Sequence, residues 1–471
     1  MTLSSHHFPK LSPDNASRRE FLRRTTALSF ATSAAPWALS LAAMGEAAAQ
    51  SASDYKALVC VFLSGGNDHA NTVVPYDQTA YNAYRSVRSN IALPRDALRG
   101  TVLIPNTALP NGRSFALAPT LSPLMPMFNA GTLAVALNVG TLIQPTTKAQ
   151  YTHRSVPLPP KLFSHNDQQS YWQAAAPEGA VSGWGGRMGD MLASGNGSAT
   201  FTCVSVSGNA VFLSGNKTSQ YQVSTSGPVA VAGIKSTLFG SSACSTALSG
   251  LMTGVRTQLL ESSYVAVSRR AVESNDQLTA ALSGSKMGSS FPRDNTLADQ
   301  LQMVARMIAA RNAVGVKRQV FFVSAGGFDT HENVGGVGGP HARLLAGVGE
   351  AMAAFYKATQ DMGIARQVTT FTASDFGRSL NSNSGGSDHG WGGMQLVMGD
   401  AVRGKSFIGT APDFSSNSAD DIGQGRLLPA LSVEQLGATM GQWFGVSAND
   451  QLSVMPNLAN FSARNLGFMS A

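Results

Sequence analysis

The chain has 471 residues, of which 43% are hydrophobic and only 13% charged, and it contains 48 glycines. So much apolar material with so little charge excludes a disordered polyelectrolyte and supplies a large core. The formal charge is +7 with no dense Lys/Arg run beyond the first fifty residues, which sets nucleic acid aside as a partner.

The first element reads as a targeting segment. Ser17-Arg18-Arg19-Glu20-Phe21-Leu22-Arg23 has the twin-arginine pattern, an apolar run follows from Thr25 to Ala43, and Ala47-Ala48-Ala49 is an A-x-A cleavage site. The run holds Pro36 and several Ser and Thr, too polar for a stable membrane span. The expectation is a twin-arginine signal over residues 1–49, cleaved after Ala49. The mature chain, residues 50–471, would then pass through the twin-arginine export machinery to the periplasm or beyond. The segment carries five basic against three acidic side chains, so the mature chain keeps a mild +5. Export in the folded state suits a protein that acquires a metal beforehand.

Next comes Ala57-Leu-Val-Cys-Val-Phe-Leu-Ser64, a continuous β-prone run of the kind buried on both faces of a parallel sheet. It ends in Gly65-Gly66-Asn67-Asp68, which places these residues at the carboxyl edge of the sheet, where open α/β folds bind ligands. The segment 190–290 is rich in Ser, Gly and Thr, with short β-like runs at Thr200–Val206 and Ala210–Leu213, and reads as an insertion on the core. Helix, strand, helix, strand then follow: Leu297, Leu301, Val304 and Ile308 at helical spacing; a strand from Gln319 to Ser324; a helix with Leu344, Leu345, Val348, Met352 and Phe355 on one face; a strand from Gln367 to Thr372. That rhythm predicts one α/β domain, mainly parallel and sandwiched by helices. Ser432 and Gln435 form a capping box before a last helix. Of three cysteines, Cys60 lies in an apolar run and reads as core; Cys203 and Cys244 could pair after export or stay free.

The chemistry-bearing residues sit among glycines. Asp68, Asp329 with His331, and Asp375 follow predicted strands, and Asp388 with His389 lies in a Gly-rich loop. Asp and His ligate divalent metals such as zinc, and carboxylates also suit magnesium, calcium and manganese. Strand ends converge on one edge, so the four sites can share a pocket. Each also has a plain reading, as a turn cap or a surface loop residue. In Phe163-Ser164-His165-Asn166-Asp167, Ser164 is either a nucleophile helped by His165 or a metal, or the N-cap of the helix carrying Tyr171 and Trp172; Thr72 is a weaker rival nucleophile. Arg378 is either a phosphate or sulfate clamp or a structural ion-pair partner.

These motifs resemble a widespread group of twin-arginine-exported bacterial proteins known only as a domain of unknown function, grouped with the alkaline phosphatase and sulfatase superfamily. The residues that carry the resemblance are Leu63 to Asp68, Asn71 to Tyr76, Phe163-Ser164-His165, Gly326 to His331, Ser374 to Arg378, and Asp388-His389-Gly390. It implies an alkaline phosphatase-like fold with one or two divalent metals held by Asp68, Asp329, His331, Asp375 and His389. The chain departs from the superfamily pattern in having Phe376, not His, after Asp375, and in the short gap between Asp329 and His331. Two readings result: a metal-dependent hydrolase of small anionic phosphate or sulfate esters, and a non-catalytic exported protein acting in binding or envelope assembly on a degenerate version of the fold.

Overall fold

The computed structural model describes residues 55–285 and 288–470; the signal segment and its cleavage site lie outside them. Numbered in chain order, the main sheet holds β1 (Lys56–Leu63), β5 (Leu133–Gly140), β6 (Cys203–Ser205), β7 (Tyr221–Gln222), β8 (Arg318–Ala325), β9 (Val368–Ser374), β12 (Gly393–Met398), β13 (Ser406–Ile408) and β14 (Leu431–Ser432). A small sheet contains β2 (Val73–Pro75), β3 (Val102–Leu103) and β4 (Phe115–Leu117), and β10 (Arg378–Ser382) pairs with β11 (Ser387–His389). The order across the main sheet is β13-β5-β12-β9-β1-β8-β6-β7, with β14 also on β5. Every pairing in it is parallel except the two made by β12. The fold is therefore α/β with a mainly parallel, mixed sheet.

β1 sits in the middle because both its faces are apolar and buried. Ala57, Val59, Val61 and Leu63 share a core with the helices Thr296–Ala309 and Pro340–Asp361. On the other side Phe62 meets Phe322, and the helices Trp184–Leu192 and Val433–Phe444 cover β8 and β1. Each fully buried side chain of this size contributes on the order of 1.5–3 kcal/mol. The register matters most for function: Leu63 pairs with both Ala325 and Ser374. The loops after β1, β8 and β9 thus leave the sheet at one level, and β12, running the other way, brings the loop after β11 to the same edge because Gly393 pairs with Val139 near the end of β5.

The middle segment differs in part from its sequence reading. Its strands are short and belong to the main sheet: Cys203–Ser205 pairs with β8, whereas Val211–Leu213 is a 3-10 turn. Its longest elements are the helices Ser242–Thr253 and Leu259–Gly284. The pairing of Cys203 with Cys244 is not formed, since Cys203 is buried, Cys244 is exposed and both are free. Cys60 is core, as expected, and the capping box of Ser432 and Gln435 is present.

Candidate metal centre

Glycines make the edge passable. Gly65 and Gly66 follow β1 with φ of 116° and 78°. A Cβ on Gly65 would come within 2.4 Å of the Asp329 backbone nitrogen, and one on Gly66 within 2.3 Å of the Phe376 ring. Only glycine has both the left-handed backbone and the space. The loops of β1, β8 and β9 therefore touch directly, and Phe376 lies beneath the imidazoles of His165 and His389, with ring centroids 4.9 and 4.7 Å away.

Three imidazoles meet above this floor. His165 opens the helix His165–Ala174, His331 lies in the loop after β8, and His389 ends β11. Nε2 of His389 stands 3.1 Å from Nε2 of His165 and 2.9 Å from Nε2 of His331. Asp329 completes the group: its Oδ1 is 3.1 Å from His331 Nε2 and 3.4 Å from His389 Nε2, and its Oδ2 is 3.6 Å from His165 Nε2. Donor atoms of His165, Asp329 and His389 all lie within 4.8 Å of one another.

The opposite ring nitrogens explain what the cluster wants. Nδ1 of His165 is 2.6 Å from Asp375 Oδ2, Nδ1 of His331 is 3.2 Å from Asp388 Oδ1, and Nδ1 of His389 is 2.7 Å from the Phe163 carbonyl. Carboxylates and carbonyls only accept, so each Nδ1 carries the proton and each Nε2 of a neutral ring turns a lone pair inward. Nε2 of His389 thus faces two other Nε2 atoms at about 3 Å, and facing lone pairs at that distance repel unless a proton or a metal ion sits between them. A hydrogen bond from the far nitrogen to a carboxylate or carbonyl is also how metal-bound histidines are oriented. The donor set of three nitrogens and a carboxylate suits zinc and similar divalent ions. The residues present thus fit a metal.

The electrostatics differ from one group to the next. The hydrogen bond to Asp375 raises the His165 pKa above its usual range against the opposing effect of burial. Burial is the main cause lowering that of His389, with the neighbouring cations adding to it. Burial works to raise the Asp329 pKa, but the Arg378 hydrogen bond and charge outweigh it and hold the group below its usual range. Positive charge is favoured on His165 and disfavoured on His389, while Asp329 stays ionised beside Arg378.

The other expected site residues are placed elsewhere. Asp68 is fully buried and paired with the equally buried Arg88, so the expectation that it binds metal gives way to a structural ion pair. Asp375 is also fully buried; it accepts from His165, from Gln169 Nε2 at 2.8 Å and from the Gly65 nitrogen at 3.1 Å. Its Oδ2 faces the His165 ring, and Asp388 Oδ1 faces that of His331 in the same way. Arg378 had two readings, anion clamp or ion-pair partner; its guanidinium is fully buried and bonded to the carbonyls of Gly65 and Ser387 and to Asp329. The plainer ion-pair reading holds. Ser164 is the N-cap residue of its helix, yet its hydroxyl donates to Asp167 Oδ2 at 3.0 Å and accepts no capping hydrogen bond from a backbone N–H. Thr72 is buried and bonded to Asn67 and to the Asp68 carbonyl, which removes it as a nucleophile.

Sequence reasoning missed Gln169, the Phe163 carbonyl and Arg88. Gln169 had a signal, since it is four residues after His165 and so shares its helical face. The Phe163 carbonyl had none: it reaches His389 because Phe163 adopts a left-handed φ of 74°.

The sequence matches, over residues 55–454, the family described as Protein of unknown function (DUF1501). The chain belongs to that family. No curated protein matches it. Among solved structures it is similar to Ps i-CgsB in complex with k-i-k-neocarrahexaose, with 10% identity, 86% of this chain and 77% of that one covered, and a TM-score of 0.36. It is also similar to BT33494S-sulf of Bacteroides thetaiotaomicron, from work on the metabolism of multiple glycosaminoglycans, with 10% identity, coverage of 83% and 73%, and a TM-score of 0.32. Scores this low carry no argument about this chain. Among the described residues no helix is long and apolar enough to cross a membrane.

Proposed function

We propose that this protein is an exported metal-dependent hydrolase of phosphate or sulfate esters, with one divalent ion held by His165, His331, His389 and Asp329. The observation that carries the reading is the convergence of three imidazole Nε2 atoms whose Nδ1 protons are all committed to fixed acceptors. Bound there, a divalent ion supplies a Lewis acid for the ester oxygens and an acidified water. The chain's own residues do the positioning. Asp375 locks the ring of His165 and is itself held by Gln169 and the Gly65 nitrogen. Asp388 and the Phe163 carbonyl fix the other two rings, and Arg378 holds Asp329 ionised and in place. Export rests on the twin-arginine segment of the sequence, and an alkaline phosphatase-like origin rests on the motif resemblance.

The test is turnover of 4-nitrophenyl phosphate and 4-nitrophenyl sulfate by the purified protein loaded in turn with zinc, manganese, magnesium or calcium. Metal-dependent turnover that disappears in His389→Ala supports the reading. No turnover of either ester with any of the four ions contradicts it. A second reading, metal binding without catalysis, is favoured by one observation: the Arg378 guanidinium and the Ser164 hydroxyl are both engaged with protein partners.

A further inference from the structure

Beside the three histidines lies a cleft of about 730 Å³ bordered by Tyr151, Arg154, Leu158, Lys161, Leu162 and Phe163. Phe163 belongs to both places, for its carbonyl holds His389 and its side lines the cleft. The floor is apolar: Tyr151, Leu158, Leu162 and Phe163 pack on a small core of Leu142, Trp391, Leu428 and Phe461. The charges at the cleft are positive. Arg154 and Lys161 stand exposed on its border, and Arg426 lies 4.3 Å over the Phe163 ring while donating to the His389 carbonyl. Lys161 shares its charge with Asp167 at 3.7 Å and Glu178 at 4.0 Å, which leaves Arg154 as the main rim cation.

The backbone sets this wall apart as well. Arg154, Lys161 and Phe163 all have left-handed φ, at 48°, 46° and 74°. Arg154 closes the helix Lys148–His153, where that conformation is ordinary. Lys161 and Phe163 end no helix, and such residues cluster where a loop is shaped around a ligand.

We propose that the cleft holds the aromatic body of an anionic ester whose sulfate or phosphate head reaches the histidine cluster. The proposal rests on the hydrolase reading and names the substrate class for it. Two rings, Tyr151 and Phe163, offer stacking to a flat apolar group. A polyhydroxylated body would lose water here and find few partners, since apart from Tyr151 and Thr152 the uncharged lining side chains are apolar. Arg154 matches a net negative ligand; no Asp or Glu lines the cleft, and the nearest acids, Asp167 and Glu178, are paired with Lys161.

The probe is 2-naphthalenesulfonate, which cannot be hydrolysed, titrated against methanesulfonate by calorimetry with and without zinc. The naphthyl probe is expected to bind at least about tenfold more tightly, equivalent to about 1.4 kcal/mol. Leu162→Asp and the surface change Arg154→Glu should each weaken it. Leu260→Ser, in the exposed apolar face of helix Leu259–Gly284, should not. If Leu162→Asp does not fold, Arg154→Glu decides. Equal binding of the two sulfonates, or loss of binding in Leu260→Ser with none in Arg154→Glu, overturns the proposal. Turnover of 2-naphthyl sulfate against 2-naphthyl phosphate by the zinc-loaded protein then separates the two heads. Tight binding without turnover of either would leave the aromatic cleft standing and remove the hydrolase.

Discussion

Two clusters of the same residue types lie close together at the carboxyl edge of the sheet, and they have opposite characters. The lower one joins Asp68, Arg88, His69, His341 and Asn67, all buried. Its charges cancel: Asp68 faces Arg88, His69 Nε2 bonds the Arg378 carbonyl at 3.0 Å, and His341 Nε2 bonds Asn67 Oδ1 at 3.0 Å. Burial, the largest influence on both histidines, pushes their pKa values down to about 4, so they are neutral. The upper cluster is partly open to solvent, and the Nε2 atoms of His165 and His331 both face that of His389. Both clusters hold an Asp paired with an arginine of the chain; they differ in that the lower histidines are buried and singly bonded, whereas the upper ones turn their Nε2 atoms towards one another.

The largest effect that would test this contrast is on stability. Asp68→Ala should destabilise by about 3–5 kcal/mol, because it leaves Arg88 charged and buried without its partner. Chemical denaturation measures it; a loss below 1 kcal/mol would mean that the lower cluster is not a structural anchor. His389→Ala should instead leave the stability of the metal-free protein unchanged or improved, since it removes a lone pair from a repulsive contact.

Metal affinity separates the direct donors of the upper cluster from the residues behind them. Asp375→Ala should weaken zinc by about 10–100-fold through loss of the partner that orients His165, while His389→Ala should abolish stoichiometric binding. Equal zinc affinity in wild type and Asp375→Ala would contradict the orienting role.

Acid offers a gentler probe of the lower cluster. His69 and His341 titrate near 6.5 when unfolded and near 4 when folded. The unfolded chain then binds more protons between those values, so their contribution is fully present above about pH 6.5 and is lost as pH falls towards 4. In His341→Asn this part of the stability profile should flatten; an unchanged slope would show that His341 is not held neutral. The smallest expected effect is at Cys244. Since it is exposed and unpaired, Cys244→Ser should shift stability by no more than about 0.5 kcal/mol. A larger loss under oxidising conditions would restore the disulfide.

The edge itself was legible in the sequence, because β1 is a continuous apolar run, β8 has an apolar centre, β9 is β-branched and aromatic, and each is followed within a few residues by glycine or an acid. The histidines were legible as candidates for the same reason. What could not be read was which carboxylate faces metal and which faces protein. Asp68 and Asp329 both follow a Gly-rich strand end, and only the fold brings Arg88 to the first and three imidazoles to the second. Arg378 shows the same limit: its burial depends on the β10–β11 hairpin closing over it. The helix Leu259–Gly284 was hidden because several of its buried positions are Ser268, Ser274 and Asn275, which blur the apolar period.

The most direct test of the account is a calorimetric titration of zinc into the metal-free protein, with His389→Ala alongside. The account predicts one ion per chain in the wild type and none bound at that stoichiometry in the variant, with both folded. No binding in the wild type, or one ion bound equally well by the variant, would contradict it.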